Sequence, residues 1–185
     1  MLLSAGVSQL IIVDVQERLA PAMTTQEETI GNAVRLVTAA RQLGAPITIT
    51  QQYPIGIGAT VPVVLDAAGA DAVVLNKVHF SCVRDAALAE RFMHLRDRAG
   101  RKQAIVCGME AHVCVLQTAL DLQAKGFGVA VVVDAVSSRA QLSKDMALRR
   151  LEQAGVSLVT TEMVIFEWLE RAGTAEFKAL MHLVK

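Results

Sequence analysis

Gln9-Leu10-Ile11-Ile12-Val13-Asp14 is the stretch on which the fold turns. Four aliphatic side chains follow one another with no polar residue between them, so the segment has no wet face. A strand of that kind lies inside a sheet covered on both sides, as parallel sheets of α/β proteins are. Parallel neighbours need long crossovers rather than hairpins, so helical segments are expected between this run and the next.

The rest of the chain follows that expectation. Thr25 and Glu28 have the spacing of a capping box and predict a helix start. Ile30, Ala33, Val34, Val37 and Ala40 recur at three-and-four spacing as its apolar face. Gly44 and Pro46 close the helix and lead into a second strand, Ile47 to Thr50. Gln51 to Pro62 holds two prolines and two glycines and reads as a long loop, a place where function often resides. A third strand is expected at Ala72 to Leu75, then a helix from about Asp85 to Arg98. Gln103 to Cys107 reads as a fourth strand ending in Gly108, followed by a helix from near Ala111 to Lys125 with Gly126 as its stop. Val129 to Val133 is a fifth strand ending at Asp134. Ser143 is placed to cap a helix that Gly155 terminates, and Ser157 to Val159 is a weaker sixth strand. Thr161 opens a C-terminal helical region holding Trp168, Phe177 and Leu180. The sequence therefore predicts one α/β domain over residues 1–185: a three-layer, doubly wound, parallel six-stranded sheet of Rossmann-like type with right-handed crossovers. A length of 185 residues suits one such domain.

Composition narrows the function. Eighteen Lys and Arg balance eighteen Asp and Glu, and no basic stripe stands out, which argues against a nucleic-acid surface. Hydrophobic residues make up 53% of the chain and mean hydropathy is +0.42. Part of that excess is assigned to a subunit interface, so a homo-oligomer is expected. No apolar run approaches the roughly twenty residues that span a bilayer. The N-terminus has no basic leader and Asp14 interrupts its first apolar run, so no signal peptide and a cytoplasmic location are expected. Three cysteines with no CxxC pair form neither a disulfide framework nor a zinc site. Asp14-Val15-Gln16-Glu17 lacks the glycines a dinucleotide turn requires.

In such sheets ligands bind beyond the carboxyl ends of the strands. The residues there are Asp14, Lys77 and the segment Gly108 to Cys114: an acid, a base and a thiol. Cys114 falls in or beside the first turn of a helix, where the dipole favours an anion. With Lys77 near, its pKa is expected to drop from about 8.5 by one to several units. Asp14 could take the thiol proton and return it to a leaving group. The backbone amides around Glu110 to Cys114 could receive an oxyanion. Each residue also has a plainer reading. A cysteine facing a sheet is usually a small hydrophobe, and that reading is preferred for Cys107 and slightly for Cys82. An acid at a strand end often pins a loop, and a lysine after a strand is normally solvated. His112 stands two residues from Cys114, so the two do not share a helical face, and it is read as a pocket wall or cap. His79 is a weak candidate.

The residues also carry a resemblance. Asp14-Val15-Gln16, Thr50-Gln51-Gln52-Tyr53-Pro54, Lys77 with Phe80-Ser81, Cys107-Gly108-Met109-Glu110-Ala111-His112-Val113-Cys114-Val115 and Asp134-Ala135 with Ser137-Ser138-Arg139 appear in order along the chain. In these the chain resembles the isochorismatase-like (cysteine) hydrolase superfamily, and within it the isochorismatase-domain-containing proteins. The resemblance implies Cys114 as nucleophile, Asp14 as acid and base, and Lys77 as the group that stabilises the thiolate. It also implies a non-proline cis peptide at Met109–Glu110 that aims the Glu110 and Cys114 amides at an oxyanion. Family members that deamidate nicotinamide usually hold a metal by an Asp and histidines near the second-strand loop, and Gln51-Gln52-Tyr53-Pro54-Ile55-Gly56 offers neither. Members that cleave isochorismate do not need the cysteine that this chain has.

The expectation is then a cofactor-free, metal-free cysteine hydrolase acting on an amide-type C–N bond of a small molecule, with Gln16, Tyr53, Phe80 and Glu110 as pocket walls. The alternatives are a catalytically idle binding or scaffold protein on the same fold, and an isochorismatase- or nicotinamidase-type hydrolase.

Overall fold

In the computed structural model, which describes residues 1–184, β1 (Ser8–Val13) is buried at every position. It sits at the middle of a six-stranded sheet with β2 (Ile47–Gln52), β3 (Val73–Lys77), β4 (Gln103–Met109), β5 (Gly128–Ser137) and β6 (Ser157–Val159). The order is β3-β2-β1-β4-β5-β6 and every pairing is parallel. The chain winds outward from β1 to β3, returns to the centre at β4 and winds outward again to β6. β1 and β4 thus flank the point where the winding reverses, the usual place for a ligand crevice. The helices between strands are α1 (Gln26–Gln42), the single turn α2 (Pro54–Ile57), α3 (Pro62–Ala68), α4 (Ala86–Ala99), α5 (Leu116–Ala124) and α6 (Gln141–Gln153), and α7 (Thr161–Leu169) and α8 (Ala175–Leu180) follow β6. Together they cover both faces of the sheet, which accounts for the all-aliphatic central strands. Among the described residues no helix is long and apolar enough to cross a membrane.

Several local expectations are corrected. Thr25 precedes α1, but its side chain caps no helical amide; its hydroxyl instead donates to Ser137 Oγ at 2.9 Å. The buried face of α1 includes Thr29, Asn32, Leu36 and Ala39, whereas Ile30 and Val34 are only partly buried. Asn32 can turn inward because its amide finds the Asp134 carbonyl at 2.7 Å. Within the expected loop, Pro54 and Pro62 each open a helix; proline suits that position because its missing N–H would have no helical partner. Gln51, Gln52 and Lys77 belong to strands rather than to the segments after them. β5 runs on through Asp134 to Ser137. Ser143 lies inside α6, which begins at Gln141.

Gly108 is the position that most constrains the centre of the sheet. It pairs with Val13 across the β1–β4 ladder, its φ is +120°, and a Cβ there would lie 1.9 Å from the Val13 carbonyl oxygen. Next to it the β4–β5 register shifts between Val106 and Gly108. These features bring the end of β4, and the turn after it, close against the end of β1.

Candidate active site

Asp14 is the first residue past β1 and is fully buried. Its φ of +51° lies in the left-handed region, where a residue with a Cβ costs about 1–3 kcal/mol and persists when its surroundings hold it. They do so here. Asp14 N–H donates to the Thr50 carbonyl at 3.2 Å, and Thr50 Oγ1 donates to Asp14 Oδ1 at 2.6 Å. The other oxygen, Oδ2, meets the Lys77 ammonium at 2.7 Å and has no further hydrogen-bond partner among the described residues.

Lys77 ends β3, and its side chain, like that of Asp14, has no exposed surface. Besides Asp14, its ammonium reaches Gln52 Oε1 at 2.6 Å and the carbonyl oxygens of His79 and Phe80, each at 3.2 Å. Burial is the largest influence and works against the charged form, but the Asp14 charge leads those that oppose it, and the lysine pKa lies above its ordinary value. Asp14 and Lys77 therefore form a buried, hydrogen-bonded ion pair, the condition under which such a pair is tolerated in an interior.

Cys114 arrives from the other side of the winding reversal. The Met109–Glu110 peptide is cis, and Cys114 sits in the π-helical turn Ala111–Val115 that precedes α5. Both Asp14 and Lys77 act on the ionisation of its thiol, and 6% of the residue is exposed. The thiol expected from the sequence to be acidified is instead pushed up. Burial is the larger cause, the Asp14 charge adds to it, and Lys77 opposes both without prevailing. The resting thiol is thus protonated beside a carboxylate. Cys82 is fully buried, with Sγ 3.9 Å from Thr50 Oγ1, and is pushed up to about 11, first by burial and then by Asp14. Cys107 is fully buried within β4, and burial raises its pKa also.

The expected pocket walls divide. Gln16 is fully buried and its amide is committed to the backbone: Nε2 donates to the carbonyls of Gln52 at 3.0 Å and Gly58 at 2.6 Å, and Oε1 accepts Gln52 N–H at 2.7 Å. It is not a pocket wall but a tie between the ends of β1 and β2. The Glu110 carboxylate turns to Arg139, accepting from its backbone N–H at 2.9 Å and from Nε at 3.1 Å. Tyr53 and Phe80 stand at a rim, both more than half exposed, beside Ile55 at 85% and Val78 at 66%. A hollow of about 380 Å³ lies among Tyr53, Pro54, Ile55, Asn76, Lys77, Val78 and Asp85; the Lys77 ammonium is walled off from it by complete burial. His112 Nδ1 lies 2.9 Å from Ser138 Oγ, consistent with a supporting place rather than a dyad with Cys114. His79 pairs with Asp85 at 3.1 Å. Among the described residues no group of three or more His, Cys, Asp or Glu is placed to hold a metal ion.

Sequence reasoning missed Thr50 and Gln52 as partners of the charged pair. The available signal was register: period-two alternation puts both on one face of β2, and Gln52 pairs with Lys77 across the β2–β3 ladder.

Comparison with known proteins places the chain in a family. The zebrafish isochorismatase domain-containing protein 1 is 37% identical over 183 residues, covering 99% of this chain; the chain spans 62% of that protein's length. The MAR1 ribonuclease of Caenorhabditis elegans superposes with a TM-score of 0.92 at 34% identity, covering 100% of this chain and 92% of that one. The YcaC gene product of Escherichia coli, described as an octameric hydrolase of unknown specificity, shares the fold with a TM-score of 0.89 at 24% identity, covering 99% of this chain and 90% of that one. Residues 8–163 match the model of the isochorismatase domain, and the chain belongs to the isochorismatase-like hydrolase family.

Proposed function

We propose that the chain is a cysteine hydrolase that breaks an amide-type C–N bond of a small molecule without a cofactor. One observation carries this reading. Of the three chemical groups gathered at the winding reversal, Asp14 and Lys77 have no exposed side-chain surface, whereas Cys114, whose thiol both influence, belongs to a residue that is 6% exposed. On this reading a substrate approaches from the side of Cys114, with the ion pair behind it.

As a carbonyl approaches, the Cys114 proton passes to Asp14 Oδ2 and Sγ bonds to the carbonyl carbon. Asp14 has then lost its charge, and the Lys77 ammonium faces the sulfur without a competing anion. The carbonyl oxygen, now anionic, is received by backbone amides of the Met109–Glu110–Cys114 loop, with those of Glu110 and Cys114 the proposed donors. Asp14 gives its proton to the departing nitrogen, the C–N bond breaks and a thioester remains. Water, deprotonated by Asp14, attacks the thioester; the S–C bond breaks and the proton returns to sulfur. The second-strand loop offers no carboxylate or histidine for a metal, and the scheme requires none.

We also propose that the chain works as a homo-oligomer, a second copy covering the apolar rim of Tyr53, Ile55, Val78 and Phe80. The octameric description of the Escherichia coli relative supports that view for the fold. A second reading, cleavage of RNA, is favoured by the names of the MAR1 ribonuclease of Caenorhabditis elegans and of its Leishmania counterparts. The test is turnover of a panel of small amides, with RNA as a separate arm, by wild type, Cys114→Ser and Cys114→Ala. Amide turnover is expected in wild type and a loss of about 10³-fold or more in Cys114→Ala. Undiminished turnover by Cys114→Ala ends the nucleophile assignment, and cleavage of RNA alone moves the assignment to phosphodiesters.

A further inference from the structure

The Lys77 ammonium has three N–H groups and four acceptors around it. Asp14 Oδ2 at 2.7 Å and Gln52 Oε1 at 2.6 Å are the short ones, and the carbonyls of His79 and Phe80 share the remainder at 3.2 Å. Gln52 is itself fixed at three points. Its Nε2 donates to the Val78 carbonyl at 2.8 Å, and its backbone N–H and carbonyl are both held by the Gln16 amide. The charged and titratable groups acting on Lys77 are Asp14 from β1, Cys82 from the turn before α4 and Cys114 from the turn before α5. Asp14 is the only carboxylate among them.

We infer that Gln52 is a positioning residue that holds the Lys77 ammonium against Cys114 without adding charge. This rests on the proposed roles of Cys114, Asp14 and Lys77. When Asp14 accepts the thiol proton, its claim on the ammonium weakens. Gln52 and the two backbone carbonyls, all neutral, keep the cation in place with its full field directed at sulfur. A carboxylate at position 52 would hold the ammonium equally well but cancel that field. The same position therefore has to combine reach, a short acceptor and neutrality, and glutamine combines all three.

The test reads the thiol directly and needs no substrate. Full-length protein is treated with iodoacetamide across a range of pH, and the rate of modification of the Cys114 peptide is followed by mass spectrometry. Wild type, Lys77→Met, Gln52→Glu and Gln52→Met are compared after circular dichroism and thermal unfolding establish that each is folded. Gln52→Glu is expected to displace the rising limb of the Cys114 profile upward by about one pH unit or more, a tenfold slower reaction at matched pH. Gln52→Met, which loses the same amide contacts without gaining charge, is expected to move it much less. Equal displacement in the two variants, or none in Gln52→Glu, overturns the inference. If Gln52→Glu does not fold, Gln52→Asn decides. One methylene short of the ammonium, it is expected to slow alkylation several-fold at matched pH, and an unchanged rate overturns the inference. If Lys77→Met alkylates as wild type does, the assigned role of Lys77 fails. If Lys77→Met is slow and the Gln52 variants are not, only the role of Gln52 fails.

Discussion

Asp14 does two opposed things to Cys114, and one substitution separates them. As a fixed negative charge it raises the thiol pKa; as a neighbouring base it offers the proton somewhere to go. Asp14→Asn removes the charge and the base together while keeping the shape. The sign for each readout follows from the causes. The thiol, freed from the anion and still facing Lys77, ionises at lower pH, so iodoacetamide is expected to modify Cys114 about tenfold faster or more at matched pH. Amide hydrolysis, which needs proton transfer in both directions, is expected to fall about 10²–10⁴-fold. Both rates falling together would mean that Asp14 serves the thiol only as a structural prop. The convergence of Asp14 and Lys77 was legible in the sequence because both stand at the carboxyl ends of strands, where the loops of such a sheet gather. Ionisation was not legible. Helix position and a nearby lysine argue for an acidic thiol, but burial and the carboxylate exceed them, and both depend on side chains brought together only by folding. Gln16 shows the same gap: adjacency to Asp14 suggested a pocket wall, while its three backbone partners lie 36 to 42 residues away.

At the scale of elements, the strands were the legible part. Continuous aliphatic runs marked the strands at the centre of the sheet, β1, β4 and β5, which are buried along most of their length, whereas β2, with its alternating Ile and Thr, and the partly exposed edge strands β3 and β6 were placed by shorter apolar segments between turn signals. Helix starts were less so. Thr25 satisfied a local pattern but found a better partner in Ser137, and the prolines of residues 51–62 were read as loop formers when Pro54 and Pro62 open helices. The close approach of β4 to β1 was announced only by Gly108, whose necessity depends on where Val13 lies. Gly108→Ala tests that approach. A Cβ at that position meets the Val13 carbonyl oxygen at 1.9 Å and sits on a backbone with φ +120°, so strand separation and backbone strain add. The expected destabilisation is about 3 kcal/mol or more, read as a fall in Tm of about 6–12 °C for a chain of this size. Because β4 leads directly into the turn carrying Cys114, hydrolysis is expected to fall further than the folded fraction does. A Tm within about 2 °C of wild type would mean that β4 can part from β1 at little cost, and that their contact does not set the site.

For the whole molecule, the question is what covers the rim above β2 and β3. Ile55 is 85% exposed, Val78 66%, Tyr53 55% and Phe80 54%, and β3 is an edge strand of the sheet. Apolar side chains gathered beside an unpaired strand edge invite association, and the proposed second copy would remove them from water. Ile55→Asp and Val78→Asp put a carboxylate into that contact, where an unpaired charge costs several kcal/mol on burial, while leaving the fold of the single chain alone because both positions are open to solvent there. Mass measured by light scattering after size exclusion is expected to exceed one chain for wild type and to fall toward the monomer of 19.8 kDa in both variants. Activity should follow mass. Val78, His79 and Phe80 form one short segment, and the carbonyls of its last two residues hold Lys77, so loosening the segment at the interface loosens the ammonium. Hydrolysis is therefore expected to drop on dissociation and to recover as protein concentration rises and subunits reassociate. A wild-type mass of one chain would remove the second copy from the proposal. Monomeric variants with wild-type turnover would instead place the rim outside the chemistry and leave the trio and Gln52 sufficient within a single chain.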